Sequence, residues 1–237
     1  MVGDVTAKGF GWIGWGRSFT AATHRGQRKN TFTFPGRLDR VGIRAVRITG
    51  GRARGIPLRV PARGPIRPAT DLLRQGVFSS LGSWVEGTRV LDLFAGTGSY
   101  GLEAFSRGAV SIVFVERDRG AIDCLKANRI AVAKSLGRSI SETSVVRSDA
   151  LKWSPNGDWA FDLVFADPPF REMDTLAGPL LDHLARWPAI REGATLVLES
   201  PGRLEPSAPG WQFERRIGKG RDQPTCCIYR KVGSAIE

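Results

Sequence analysis

The chain has 237 residues, a formal net charge of +12 and 41% apolar side chains. That suffices for one full hydrophobic core, or a core with an appendage, and is too apolar for a chain disordered throughout. The absence of an apolar run of about 18 residues argues against a membrane span, and the N-terminus lacks the apolar segment of a secretory signal, so a cytoplasmic home is expected.

Residues 1–44 are rich in Gly, Thr and Arg, with Trp12 and Trp15 scattered singly. No helical or strand period persists there, so this stretch is expected to be a mostly disordered basic extension. Residues 1–45 carry eight Lys or Arg against two Asp, and residues 46–75 carry seven Arg against one Asp; residues 76–237 are neutral, with 20 basic and 20 acidic side chains. A basic stretch beside a neutral body suits a polyanion, because neutralised phosphates release counterions. For the first 45 residues a solvated, solubilising tail is an equal reading.

Ala45–Ile48 and Ile56–Val60 read as short strands around the turn signal Gly50-Gly51, so a hairpin is expected. Thr70 reads as the N-cap of a helix in which Leu73, Val77, Phe78 and Leu81 share one face, with Gly82 at its end. Residues 45–83 thus form a basic hairpin-and-helix unit, and 84–237 the globular body. From there strands and helices alternate. Strands are expected over 89–94, 111–116, 143–147, 161–166 and 194–199, and helices over 102–107, 118–136 and 173–186. Residues 211–217 and 225–231 flank Gly218-Lys219-Gly220 as a closing hairpin. This pattern predicts an α/β fold, a mostly parallel sheet covered on both faces. Cys124, Cys226 and Cys227 are odd in number, with two adjacent, which suits neither a disulfide framework nor a zinc site. The two histidines, His24 and His183, supply no metal pair, and no metal is expected; His183 reads as a helix-surface residue.

The run Asp92-Leu93-Phe94-Ala95-Gly96-Thr97-Gly98-Ser99-Tyr100-Gly101 follows the first predicted strand of the body and opens a helix. Its Gly96-x-Gly98-x-x-Gly101 spacing is the dinucleotide fingerprint, in which glycine lets backbone approach a ligand. Alone it is weak evidence. Asp92 stands four residues before the first glycine, where it suits a ligand bearing an amine rather than a pyrophosphate. Glu116 ends the next strand, placed to accept ribose hydroxyls, and Asp149 follows the third, placed to receive an adenine amine. Three acids at three successive strand ends point to a nucleoside cofactor, and together with the motif that follows they favour S-adenosylmethionine over NAD.

Asp167-Pro168-Pro169-Phe170 directly follows the fourth strand of the body. The two prolines end strand pairing and stiffen the loop. Asp167 and the Pro168 carbonyl are acceptors able to take both hydrogens of an exocyclic amine, and Phe170 offers a face for a stacked base. Amine chemistry on a structured nucleic acid requires the base to be extruded.

These residues resemble the amino-methyltransferase signature, and residues 46–231 as a whole resemble the RsmD-type bacterial 16S rRNA guanine-N2 methyltransferases. Arg47-Ile48-Thr49-Gly50-Gly51-Arg52-Ala53-Arg54-Gly55 is similar to that family's opening hairpin. Arg67-Pro68-Ala69-Thr70-Asp71 with Arg74 and Phe78 is similar to its helix, and Leu91–Gly98 with Gly101–Ala104 to its cofactor stretch. The resemblance implies a Rossmann-like methyltransferase with a seven-stranded sheet and an antiparallel terminal hairpin. It implies S-adenosylmethionine as cofactor and 16S rRNA, within the small ribosomal subunit or its assembly intermediate, as partner, with no membrane. On this reading the cofactor residues are Asp92, Ala95, Gly96, Thr97, Gly98, Glu116, Arg117, Asp149 and Ala150. The residues gripping the target amine are Asp167, Pro168, Pro169 and Phe170. The RNA contacts are Arg47, Arg52, Arg54, Arg67, Thr70 and Arg74. Ile56, Leu72, Gln75 and Ser79 depart from the family pattern and put the target nucleotide in question. The family begins about where Val46 stands, so a start placed upstream and a genuine extension are both open readings of residues 1–44. DNA adenine-N6 methylation, a non-catalytic RNA-binding module on the same fold and an NAD oxidoreductase are the alternatives.

Overall fold

The computed structural model describes residues 46–61 and 69–233. The expected extension over 1–44 and the predicted RNA contact Arg67 lie outside the described residues.

The N-terminal hairpin forms, held by Ile48 N–H to Ile56 O at 2.9 Å and Leu58 N–H to Val46 O at 2.8 Å. Its ladder is short, with one isolated antiparallel bridge, Arg47 to Pro57. The turn needs Gly51: its φ is +73°, and a Cβ there would meet Ser106 O at 2.2 Å. The turn is thus pressed against the end of the helix Ser99–Ser106. Helix α1 spans Ala69–Leu81. It starts two residues ahead of the expectation, so Thr70 lies in the first turn and not at the N-cap. Beyond it run β1 (Arg89–Leu93), α2 (Ser99–Ser106), β2 (Ser111–Glu116), α3 (Arg119–Leu136), β3 (Thr143–Arg147) and β4 (Phe161–Ala166). The chain continues through α4 (Met173–Ala185), β5 (Ile190–Pro201), β6 (Trp211–Ile217) and β7 (Pro224–Lys231). β5 is 12 residues long, longer than expected, because its ends find partners: Ile190 pairs with Phe161 and Pro201 with Pro224.

The seven strands follow the order β3-β2-β1-β4-β5-β7-β6. β1 to β5 are parallel, and β7 returns antiparallel between β5 and β6. Side chains alternate across the sheet. Val90, Ile112, Phe114, Leu163, Phe165, Val197, Cys226 and Ile228 pack under α1, α2 and α3. Leu91, Leu93, Val113, Val115, Val164, Leu196, Leu198 and Cys227 pack under α4. Each buried Leu, Val or Phe contributes roughly 1.5–3 kcal/mol. The adjacent cysteines therefore belong to opposite faces, and both are buried thiols. His183 is half-buried and not a surface residue: its ring meets Trp187 edge-on with centroids 5.1 Å apart.

Strand order reverses between β1 and β4, with β2 on one side and β5 on the other. Ligands of open α/β sheets bind outside the carboxyl ends of strands at such a point. The loops after β1, β2, β3 and β4 all open there.

Candidate active site

Alternation along β1 turns Asp92 toward α2, between Leu91 and Leu93 on the other face. It is 2% exposed, and its Oδ2 accepts the Gly101 N–H at 2.9 Å. Burial, opposed by that amide and reinforced by the charge of Glu116, pushes its carboxyl up to about 8. Asp92 is therefore a buried brace for the glycine loop, where the sequence reading set it against the amine of a ligand. Gly101 makes this possible, since a Cβ there would meet Phe114 Cε1 at 2.4 Å and Asp92 Oδ2 at 2.9 Å.

The loop itself is tightly turned. Phe94 adopts φ +57°, a left-handed conformation that costs a bulky side chain strain. Ala95 N–H bonds Val115 O at 3.1 Å, and Gly98 N–H bonds Ala95 O at 2.7 Å. Gly96 has φ +54°, and the nearest atom to a Cβ built there is 4.0 Å away, so its backbone faces open space. The Thr97 carbonyl accepts Asn128 Nδ2 at 3.0 Å. Asn128, on α3 and 1% exposed, also takes the Arg59 N–H at 2.7 Å and donates to Arg59 O at 3.0 Å. One buried amide side chain thus joins the end of the basic hairpin to the glycine loop.

Glu116 closes β2. Its Oε2 accepts Gly96 N–H at 2.7 Å, while Oε1 accepts Arg117 and Asp118 N–H at 2.8 and 2.7 Å. These bonds fix the carboxylate at the mouth of a cavity of about 280 Å³ lined by Phe94, Val115, Glu116, Arg117, Ser148, Asp149, Ala150, Asp167 and Pro169. Arg117 Nη1 stands 3.6 Å from Asp149 Oδ2 across the rim, and Asp149 Oδ1 accepts Leu151 N–H at 3.1 Å. Of the predicted cofactor residues, Glu116, Arg117, Asp149 and Ala150 line this cavity. Asp92, Ala95, Gly96, Thr97 and Gly98 are not among its lining residues; they shape the loop beside it. The cavity suits a nucleoside: apolar Phe94, Val115 and Ala150 for a flat ring, and two carboxylates for hydroxyl and amine donors.

Asp167 and Pro169 bring the other predicted group into the same cavity. Asp167 N–H reaches Leu93 O at 3.4 Å, so this loop is hung from the end of β1. Pro168 is buried, and Phe170 is half-buried at the start of a 3₁₀ turn, Phe170–Glu172.

The basic unit divides. Arg47, Arg52 and Arg54 are exposed. Arg74 is not: it is 2% exposed, which corrects its assignment as an RNA contact. Its Nη2 donates to Arg47 O at 2.7 Å and Asp71 Oδ1 at 2.9 Å, and its Nε lies 3.7 Å from Glu103. Glu103, fully buried on α2, accepts Thr49 N–H at 2.7 Å, Thr49 Oγ1 at 2.9 Å and Arg107 Nε at 2.9 Å. Arg74 and Glu103 thus clamp the hairpin to the body. A buried carboxylate needs such partners, and the acid in Leu102-Glu103-Ala104-Phe105 was the only sign of them in the sequence.

Residues 46–230 match the family described as Conserved hypothetical protein 95. A Bacillus subtilis protein named "Putative rRNA methyltransferase YlbH" is 33% identical over 163 residues, covering 68% of this chain and 85% of that protein. The Escherichia coli "Ribosomal RNA small subunit methyltransferase D" is 37% identical over 130 residues, covering 55% of this chain and 63% of that protein. Among solved structures, "Putative methyltransferase yhhF" from Escherichia coli superposes with a TM-score of 0.65 at 30% identity, covering 79% of this chain and 98% of that one. The family match spans the hairpin, the glycine loop and the Asp167–Phe170 loop alike, and the chain belongs to the Conserved hypothetical protein 95 family, the RsmD-type methyltransferases.

Proposed function

We propose that this protein methylates the N2 amine of a guanine in small-subunit ribosomal RNA, in the cytoplasm, using S-adenosylmethionine. The observation that carries the reading is that Asp167 and Pro169 share one cavity with Glu116 and Asp149. A nucleoside held by the two acids would thus lie beside the loop that grips the amine. Relatives named as ribosomal RNA methyltransferases support the substrate class.

Glu116 would hold the ribose hydroxyls, on a carboxylate already fixed by three amides. Asp149 would receive the adenine amine, and Gly96 would let the backbone approach. S-adenosylmethionine, when bound, supplies an electrophilic methyl group on a sulfonium. Asp167 and the Pro168 carbonyl take the hydrogens of the guanine amine, which aims the nitrogen lone pair. Phe170 stacks on the extruded base, worth about 1–3 kcal/mol. As the nitrogen gains a methyl group it gives up one proton, which the Asp167 carboxylate would accept. Most of the acceleration comes from holding the reactants in line, which supplies up to about 7–11 kcal/mol. Arg47, Arg52 and Arg54 would grip phosphates from the exposed side of the hairpin.

The test uses labelled S-adenosylmethionine with small ribosomal subunits from cells lacking the activity, with bare rRNA and with DNA. Label recovered as N2-methylguanosine from subunits supports the reading. Label in adenine of DNA, or none in any substrate, overturns it.

A further inference from the structure

The basic hairpin is tied to the body at two ends. Its turn rests on α2, where the Thr49 N–H and hydroxyl donate to Glu103 and Ser106 Oγ donates to Gly50 O at 2.7 Å. Its open end is held by one side chain. Among the described residues, the Arg59 main chain bonds only to Asn128, which accepts its N–H at 2.7 Å and donates to its carbonyl at 3.0 Å. The second hydrogen of the same amide goes to Thr97 O, also at 3.0 Å. Both donors and the acceptor of Asn128 are therefore engaged.

Thr97 belongs to the glycine loop. Its neighbour Gly96 gives its N–H to Glu116, so Asn128 and Glu116 hold adjacent residues of one turn. Leu125, one helical turn before Asn128 on α3, fills the space beside Gly98, where a Cβ would stand 2.3 Å from its Cδ1. Leu125 and Asn128 thus meet the loop from one helix face. Neither segment that Asn128 joins is strongly restrained by itself. Gly96 and Gly98 both have positive φ, and glycine loses more conformational freedom on ordering than any other residue. The hairpin has one isolated bridge, Arg47 to Pro57, and Arg59 lies two residues beyond it. A ligand that orders either segment restrains the planar amide that both share, and the second ligand then meets a segment already ordered.

We propose that Asn128 is a positioning residue that couples the two ligands: RNA phosphates on the hairpin and S-adenosylmethionine at the glycine loop each tighten the binding of the other through it. Asn128 does not line the cavity, so it acts through Thr97 and Arg59. Coupling of this kind is reciprocal, typically about 5–150-fold. The inference rests on the reading of the hairpin as the RNA grip and of the glycine loop as the cofactor turn.

The experiment uses equilibrium dialysis of labelled S-adenosylhomocysteine, the demethylated cofactor, with and without saturating unmethylated small ribosomal subunits. No methyl transfer occurs, so binding alone is read. Wild-type protein is expected to bind the probe about 5-fold more tightly, or better, with subunits present, and the subunits by the same factor when loaded with the probe. Asn128→Ala leaves the main-chain groups of exposed Arg59 to water. It is expected to fold and to bring the factor to about one. Arg59→Ala keeps the main-chain groups that Asn128 holds and is expected to keep the wild-type factor. A wild-type factor of about one, a factor unchanged in Asn128→Ala, or a factor lost in Arg59→Ala overturns the proposal and leaves the methylation reading intact. Wild-type protein that binds neither probe nor subunits overturns the reading beneath it. Should Asn128→Ala fail to fold, hydrogen exchange on wild type decides. The probe without RNA is expected to slow exchange of the Arg59 amide about 5-fold or more, although Arg59 does not line the cavity. Unchanged exchange there overturns the proposal.

Discussion

Replacing Arg74 by Ala separates a structural clamp from an RNA contact. The substitution removes the Nη2 bonds to Arg47 O at 2.7 Å and Asp71 Oδ1 at 2.9 Å, and the cation 3.7 Å from Glu103. Hydrogen bonds involving a charged group contribute about 1.5–3 kcal/mol each, and breaking a buried ion pair by deleting one partner costs about 3–5 kcal/mol. Arg74 is itself 2% exposed, so its removal recovers some desolvation. Arg107 also stays on Glu103 to share the charge. The net cost falls near the lower end, about 3 kcal/mol. For a protein of this size each kcal/mol moves the melting temperature by roughly 2–4 °C, so a fall of roughly 6–12 °C is expected. Arg52→Ala, at an exposed position, stays within about 0.5 kcal/mol of wild type. Scanning calorimetry reads both. RNA affinity measured well below the melting temperature reads the other half: Arg52→Ala weakens it and Arg74→Ala hardly does. A wild-type melting temperature for Arg74→Ala, together with weakened RNA binding, would refute the clamp and return Arg74 to the RNA surface.

Asp92 keeps a proton in the folded state up to about pH 8, against 3.8 for the ordinary carboxyl. Its contribution to stability is complete below the lower value and is lost as pH rises through the upper one. Asp92→Asn should therefore gain on wild type in urea unfolding between about pH 5.5 and about pH 8.5, and parallel stability curves would count against a buried, protonated Asp92. Asp167→Ala should abolish turnover while S-adenosylmethionine affinity changes little; a near wild-type single-turnover rate would reduce the loop to an ordinary Asp-Pro turn. Arg52→Ala with Arg54→Ala should leave cofactor binding intact, depress methylation, and flatten the salt dependence of RNA binding by about 0.7 per lost phosphate contact. An unchanged slope would move the RNA grip elsewhere.

Much of the fold was legible because its signals are local. Apolar runs such as Ser111–Glu116 and Phe161–Ala166 become strands at those bounds, since a strand buried on both faces must be apolar throughout. Glycine at 96, 98 and 101 and proline at 168 and 169 limit the backbone wherever they stand, so the two loops that meet in the cavity were readable one at a time. The faces of single residues were not. Arg74 lies among polar and apolar neighbours at a spacing that suits a surface arginine, and only the placing of α2 puts Glu103 beside it. Asp92 resembles any acid at a strand end until the helix after it covers its side chain and Gly101 N–H claims it. Asn128 on α3 is an unremarked amide until the hairpin end and the glycine loop arrive at its two sides. Glu199 is separated from Tyr100 by 99 positions in the chain and meets it through a 3.0 Å bond. In each case the partner lies on an element distant in sequence. The energy of a buried polar group is set by the partner it finds, and neither composition nor period carries that information.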